Sequence, residues 1–344
     1  VGEELLERRH QVLLVVSEKE VDQRAVEQAR GFLVETLPAV GWRGMRPDYA
    51  FRFVTAMFRA VIRARQIFRN FHPDVVLGMG GFSSVAPVLL AWIKGVPSCI
   101  HDSNAIPGKA NRLMARLATR VAVGLEQAQK WFPPGKTIWT GTPVRSFLRK
   151  RSNCIESRKR FGLSMETPTV LVVGGSQGAR GLNRLVTEAA ARIGEKEAQW
   201  LHLAGVEDEA ATRAAYQRDG KRACVMAFCA EMDQLYAAAD LVIARAGASS
   251  LAEIAQQSLP SVLAPYPFAA DDHQRENARI FSEAGAAIMC EERSRDAEWL
   301  AKEIGDILSN PNRRKTMSDA TKRLRHEDAH RKLADMVESL AGKS

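Results

Sequence analysis

Two stretches of this sequence carry a run of β-branched residues into small residues and then into a helical pattern. That arrangement lets backbone N–H groups close on an anion at a helix N-terminus. In the first, Thr169-Val-Leu-Val-Val173 runs into Gly174-Gly175-Ser176-Gln177-Gly178. Ser176 adds a hydroxyl donor. The Gly-x-Gly-x-x-Gly spacing of a dinucleotide fingerprint is absent, so the loop reads as a phosphate or pyrophosphate cradle, with a plain strand-to-helix turn as the alternative. In the second, Asp240-Leu-Val-Ile-Ala-Arg245 passes through Ala246 and Gly247 to Ala248-Ser249-Ser250-Leu251-Ala252-Glu253. Amides and hydroxyls of 248–250 would face a ligand. A carboxylate at Glu253 suits the two hydroxyls of a ribose better than a phosphate, and helix capping with a dipole-compensating Glu is the bland alternative.

Three further segments also follow strand patterns. His273, Gln274 and Asn277 can share one helical face after Pro265-Tyr-Pro-Phe, and amide and imidazole donors there suit sugar hydroxyls, or simply open a solvated helix. In His101-Asp-Ser-Asn104-Ala-Ile-Pro-Gly108, His101 is a candidate general base or a structural histidine, and Asn104 could hold a substrate hydroxyl or amide. Gly78-Met-Gly-Gly-Phe-Ser-Ser84 could admit a pyrophosphate, although Gly78-x-Gly80 alone is weak. Gly135-Lys136-Thr137 is not a P-loop, because Lys130 stands where a glycine would and a strand pattern follows.

The elements that position these residues alternate. Strand patterns fall at 11–16, 74–78, 98–100, 120–123 and 137–140, then at 169–173, 199–203, 224–228, 240–244, 261–264 and 286–289, with helical patterns between most of them. This is the signature of two Rossmann-like parallel-sheet domains, whose ligands lie beyond the carboxyl ends of the strands. The expected division is a first domain over 1–145, a linker over 146–164, a second domain over 165–310 and a helical segment over 311–344.

The chain has 344 residues, 46% hydrophobic and 26% charged, which excludes disordered and collagen-like chains. No apolar run approaches the ~20 residues of a membrane span. Five scattered cysteines without Cys-x-x-Cys argue against disulfides and a zinc site, so no metal is expected. Residues 1–150 hold 22 Lys and Arg against 12 Asp and Glu, and the remainder holds 27 against 28. The basic first half points to an acidic surface or a polyanionic ligand, with nucleic acid and anionic lipid as the candidates. No nucleic-acid module is present, so nucleic acid is not expected as a partner. Within 51–71, Phe58 and Val61 lie on an amphipathic helix with five arginines, which suits an anionic membrane surface or snorkelling over the protein's own sheet.

Six blocks in order, DVVLGMGG, HDSNAIPG, GTPVR, GGSQGA, RAGASSLAE and DHQREN, resemble the MurG family of glycosyltransferase family 28. The resemblance implies a GT-B fold, an acceptor domain followed by a UDP-sugar domain facing it across a cleft. It implies inverting, metal-independent transfer of GlcNAc from UDP-GlcNAc to the 4-hydroxyl of the muramyl sugar of lipid I (undecaprenyl-pyrophosphoryl-MurNAc-pentapeptide). The product is lipid II of peptidoglycan synthesis, made at the cytoplasmic face of the bacterial plasma membrane. On this likeness Gly175, Ser176, Gln177 and Gly178 meet the UDP moiety, and Cys229 reads uracil through its backbone. Ala248, Ser249 and Ser250 lie by the phosphates, and Glu253 on the ribose. Gly247, Leu251 and Ala252 complete that stretch. Gln274 with His273 selects the GlcNAc hydroxyls, with Asn277 beside them, and Asn104 and Arg145 line the donor site. Phe58, Val61 and Trp92 fall on a membrane-facing patch. The family pattern opens with a strand and a GGTGGH loop that carries its candidate base. This sequence opens at Val1-Gly2-Glu3, read as the helix after that loop, which leaves His101 as the base candidate. Another GT-B transferase with a different acceptor, or a donor-binding form without activity, are the alternatives.

Overall fold

The computed structural model describes residues 1–18, 26, 31–38, 47–174 and 179–342, with the backbone alone of 47–53 and 270. Two compact units form. One joins Val1–Pro143 to Asp328–Ser344, and the other is Val144–Glu327.

The second unit is built on six parallel strands: β7 (Thr169–Val173), β8 (Gln199–Leu203), β9 (Ala223–Met226), β10 (Leu241–Ala244), β11 (Ser261–Leu263) and β12 (Ala287–Met289), in the order β12-β11-β10-β7-β8-β9. Side chains alternate faces along a strand. Val170 and Val172 of β7 therefore pack with Trp200, Leu241 and Ile243 on one face, under the helices Arg180–Ala190 and Ala297–Ser309. Leu171 and Val173 pack with Leu201, Val242 and Leu263 on the other, under the helices Ala248–Gln257 and His273–Glu283. Both faces are covered, which is why β7 is a continuous apolar run. The chain leaves β7 in one direction to β8 and β9, then returns to pair β10 on its other side. The topological switch point thus falls between β7 and β10.

The first unit holds a parallel pair, β1 (Leu13–Ser17) with β2 (Leu33–Leu37), and a parallel sheet of β3 (Val76–Gly78), β4 (Ser98–Asp102), β5 (Arg120–Val123) and β6 (Thr137–Trp139) in that order. Ile100, Val121 and Val123 pack on one face with Val88. Cys99 and Ala122 pack on the other against Leu333, Met336 and Leu340 of the helix Ala329–Ala341. This last helix therefore covers a sheet formed by the start of the chain. Arg8 ties it down by ion pairs to Asp335 (2.6 Å) and Glu338 (2.5 Å).

The structure bears out the expected parallel α/β architecture and differs at particular places. β2 had no counterpart in the strand patterns. Residues 146–164 are not an open linker, because Leu148 and Leu163 are buried in the second unit's core and a helix runs over Cys154–Arg160. The segment 311–344 divides, since the helix Pro311–Arg323 belongs to the second unit and Ala329–Ala341 to the first.

Candidate functional site

In the second unit the switch point opens at the carboxyl ends of β7 and β10, where Arg245 N donates to Val173 O at 3.2 Å. Of the loop after β7, Gly174 is described and buried, whereas Gly175, Ser176, Gln177 and Gly178 lie outside the described residues. After β10 the backbone turns at Gly247 (φ −67°, ψ 137°) into the helix Ala248–Gln257, and the N-cap glycine has no side chain with which to cap this end. Its first N–H groups are therefore available to an anion. Ala248, Ser249 and Ser250 occupy that first turn, with Ser249 exposed. Leu251 does not face a ligand: it is 2% exposed and packs in the core, as the inward side of an amphipathic turn requires. Ala252 is half-buried.

Glu253 follows in the second turn and is held from two sides. Arg145 Nη2 donates to its Oε1 at 3.2 Å, and Tyr236 Oη donates to its Oε2 at 3.0 Å. Burial, and secondarily the Glu253 charge, push the Tyr236 phenol well above its ordinary pKa, so it stays a donor. A carboxylate has about four acceptor positions. Two are used here, so Glu253 can still accept from a vicinal diol. Arg145 also lies over the Phe147 ring at 4.9 Å.

Asn277 is fully buried, and its Nδ2 donates to Ala246 O at 3.1 Å. It fixes the turn before the Ala248 helix and is not at the surface that a sugar would reach. Gln274 accepts from Tyr266 N at 2.9 Å through Oε1, so Nε2 is the end it can offer a ligand. His273 is half-buried at the start of the same helix. Cys229 follows β9 at the sheet edge, half-buried against the core, and burial raises its thiol pKa. Its backbone is the part it could present.

Sequence reasoning passed over Tyr236, Arg245 and Glu292. Arg245 is buried, ion-paired with Glu292, and its Nη1 donates to Ala264 O at 3.1 Å, which ties the ends of β10 and β11. A Cβ at Gly181, in the first turn after the glycine loop, would stand 2.6 Å from Glu292 Oε2. Arg245 lies in the stretch RAGASSLAE, where a charge directly after a buried strand is a legible signal. Tyr236 and Glu292 had no local signal.

In the first unit the carboxyl ends of β4, β5 and β6 converge. Asp102 is the organiser. Its Oδ1 accepts from Asn104 N (2.9 Å) and Nδ2 (3.4 Å), and its Oδ2 from Gly108 N (3.0 Å) and Asn111 Nδ2 (2.9 Å). This carboxylate, 5% exposed, is thus satisfied from two sides and shapes the loop that carries Asn104. Gly124 is required by close approach: a Cβ there would lie 2.0 Å from Thr142 Oγ1 and 2.9 Å from Ser103 Cα.

His101 is fully buried, with Nε2 on Gly141 O at 3.1 Å and Nδ1 facing Ser103 Oγ at 3.5 Å. Burial lowers its pKa against the opposing pulls of the Gly141 carbonyl and Asp102. It is therefore neutral near pH 7, with Nε2–H donating and Nδ1 accepting. That geometry corrects the base expectation: His101 joins the ends of β4 and β6, and its ring edge is spent inside the protein.

The helix Pro47–Phe71 buries Ala60, Ala64, Ile67 and Phe68 against Leu90 and Ala91 of the helix Val85–Lys94. Phe58 (68%) and Trp92 (56%) are exposed, together with Val54, Ile62 and Ile93. Val61 is half-buried against the core, so it belongs to the inward side of that helix. No described helix is long and apolar enough to cross a membrane. Among the described residues no group of three or more His, Cys, Asp and Glu stands as a metal cluster.

The sequence matches the glycosyltransferase family 28 N-terminal domain over residues 1–123 and the family 28 C-terminal domain over residues 169–333. A UDP-N-acetylglucosamine–N-acetylmuramyl-(pentapeptide) pyrophosphoryl-undecaprenol N-acetylglucosamine transferase from Myxococcus xanthus is 35% identical across 99% of this chain and 88% of its own. The enzyme of the same name from Anaeromyxobacter dehalogenans is 37% identical across 92% and 82%. Among solved structures, MurG of Acinetobacter baumannii superimposes with a TM-score of 0.74 at 24% identity, covering 98% of this chain and 93% of that one. Anabaena HepE in complex with UDP and glucose gives 0.64 at 14% identity, over 95% and 91%. These likenesses show the GT-B fold expected for two parallel-sheet units.

Proposed function

This chain belongs to glycosyltransferase family 28, and we propose that it transfers N-acetylglucosamine, with inversion, from UDP-GlcNAc to the 4-hydroxyl of the muramyl sugar of lipid I, yielding lipid II for peptidoglycan. The observation that carries the reading is the donor geometry in the second unit. A helix N-terminus opened by Gly247 stands at the switch point of a parallel sheet, and the Glu253 carboxylate in its second turn is held by Arg145 and Tyr236.

The chemistry follows from charge. The acceptor hydroxyl attacks the anomeric carbon in line with departing UDP while a general base takes its proton, and negative charge grows on the diphosphate. The N–H groups of 247–250 and the positive end of the Ala248–Gln257 helix meet that charge, and they need no reorganisation as it forms. No metal is invoked for this step. Gly175, Ser176, Gln177 and Gly178 would supply further amides to the diphosphate. Glu253 takes the ribose hydroxyls, Gln274 Nε2 and His273 the sugar, and the backbone at Cys229 the uracil. Asn277, Arg245 and Glu292 hold the turn rather than touch the ligand. In the first unit, Asp102 shapes the loop carrying Asn104, which lines the donor site, and His101 is a positioning residue. Phe58 and Trp92, with the arginines of 59–69, would rest on the anionic face of the cytoplasmic membrane where lipid I resides.

The test is transfer of labelled GlcNAc from UDP-GlcNAc to a lipid I analogue by the full chain in EDTA. Formation of the disaccharide lipid supports the reading. Donor binding without transfer to this acceptor would reassign the acceptor, and absence of donor binding would remove the reading altogether.

A further inference from the structure

We propose that the second unit carries a separate anion site, selective for phosphate groups, at the far end of the helix whose N-terminus faces the donor. A cavity of about 350 Å³ is lined by Arg149, Arg151, Lys322 and Arg325, with Asp319 as its acidic member. That volume lies within the range of small-molecule sites. The walls are fixed. Gln257 Nε2 donates to Leu148 O at 2.8 Å, and Ser318 Oγ donates to Ser258 O at 2.6 Å. These bonds join the 3-10 turn Ser146–Leu148, the end of the Ala248–Gln257 helix and the helix Pro311–Arg323.

The charges do not cancel locally. Asp319 pairs with Lys315 at 2.7 Å and Arg325 with Glu327 at 2.8 Å, so the added partners Lys315 and Glu327 offset each other. The lining itself carries four cationic side chains against one carboxylate, and the two helix C-termini that reach the cavity offset only roughly one further unit of charge. Arg325 also has a buried Nε with no hydrogen-bond acceptor among the described residues.

The position has a consequence. The helix Ala248–Gln257 has ten residues, so it spans about 15 Å between this cavity and the donor phosphates. Arg149 and Arg325 also lie close in sequence to the two points, Pro143/Val144 and Glu327/Asp328, where the chain passes between units. An anion bound here would grip the Ala248–Gln257 helix and both crossing segments at once. The ligand is a small phosphate-bearing anion, either free or displayed as a lipid headgroup.

Calorimetry on the full chain with saturating UDP tests this, using inorganic pyrophosphate for the free anion and dihexanoylphosphatidylglycerol below its micelle concentration for the headgroup. Wild type should bind at least one probe, and Arg151→Glu with Lys322→Glu should weaken that binding by at least about thirtyfold. Both side chains are exposed, and an unchanged melting temperature verifies the fold. The neutral pair Arg151→Gln with Lys322→Gln repeats the measurement if charge reversal perturbs folding. Which probe binds assigns the source. No binding of either by wild type, or equal binding by the variants, overturns the site. A separate titration of UDP into the anion-free chain reports on the donor reading.

Discussion

Arg145 and Glu253 are separated by more than a hundred residues, yet the guanidinium of one donates to the carboxylate of the other at 3.2 Å, with Tyr236 closing the opposite oxygen at 3.0 Å. Arg145 is half exposed, so the pair contributes little to stability by itself. Its effect is orientation. The Glu253 carboxylate is fixed in rotation and keeps two acceptor positions for a diol.

Tyr236→Phe should therefore weaken UDP-GlcNAc binding by about 0.5–1.5 kcal/mol while the fold persists, because one hydrogen bond is removed and the ring stays. Titration calorimetry reads the affinity, and a thermal melt reads the fold. Affinity unchanged within error would show that Tyr236 does not orient Glu253.

Asn277→Asp should cost about 2 kcal/mol or more of stability, since it faces a buried carboxylate toward the Ala246 carbonyl that now receives an N–H. Donor affinity should fall with it, through loss of the turn. A urea unfolding curve with an unshifted midpoint would contradict this placement.

Gly124→Ala should destabilise the first unit by roughly 1–3 kcal/mol through overpacking against Thr142 and the Ser103 backbone. Adding Thr142→Ala relieves the side-chain clash and leaves the backbone one. The double variant should therefore recover part of the loss, as read by urea midpoints. Full recovery would mean that the backbone approach at Ser103 is not limiting.

Acid should destabilise the second unit through His202. Asn183 Nδ2 donates to Ala204 O, so its Oδ1 faces His202 Nε2 at 3.0 Å and that nitrogen carries the proton, while Nδ1 accepts from Tyr216 Oη at 3.0 Å. Burial lowers the pKa of this imidazole from 6.5 to about 3. The unfolded chain takes up the proton first. The contribution is therefore complete above about 6.5 and is lost as pH falls from there toward 3, at up to about 1.4 kcal/mol per pH unit. Urea unfolding of wild type and His202→Gln at pH 7, 6 and 5 should show a shallower pH slope in the variant. Parallel slopes would place the acid sensitivity elsewhere.

What was legible in the sequence follows from how local each signal is. β7 and β10 were visible because a strand covered on both faces is apolar throughout, and their ends were visible because small residues follow. β2 reads Leu-Val-Glu-Thr-Leu, exposed at its start, and lacks that continuous apolar signal. Glu253 announced itself by its place after a helix start, whereas Tyr236 and Glu292 acquire their partners only through tertiary packing. His101 shows the opposite failure. Its position at a strand end suggested chemistry, but burial and the bond to Gly141 give it a structural task. Leu251 and Val61 lie within blocks that looked functional, and helical periodicity turns each of them inward.

The most direct measurement is a cycle between Glu253 and the ribose hydroxyls. UDP and 2′,3′-dideoxy-UDP are titrated into wild type and Glu253→Ala, with the fold of each checked by melting. Glu253→Ala should weaken UDP binding by about 1–3 kcal/mol, and removal of the hydroxyls should cost wild type a similar amount. The two losses should not add, because each removes the same contact. If the dideoxy penalty is as large in Glu253→Ala as in wild type, Glu253 does not hold the ribose and the donor site built around it is wrong.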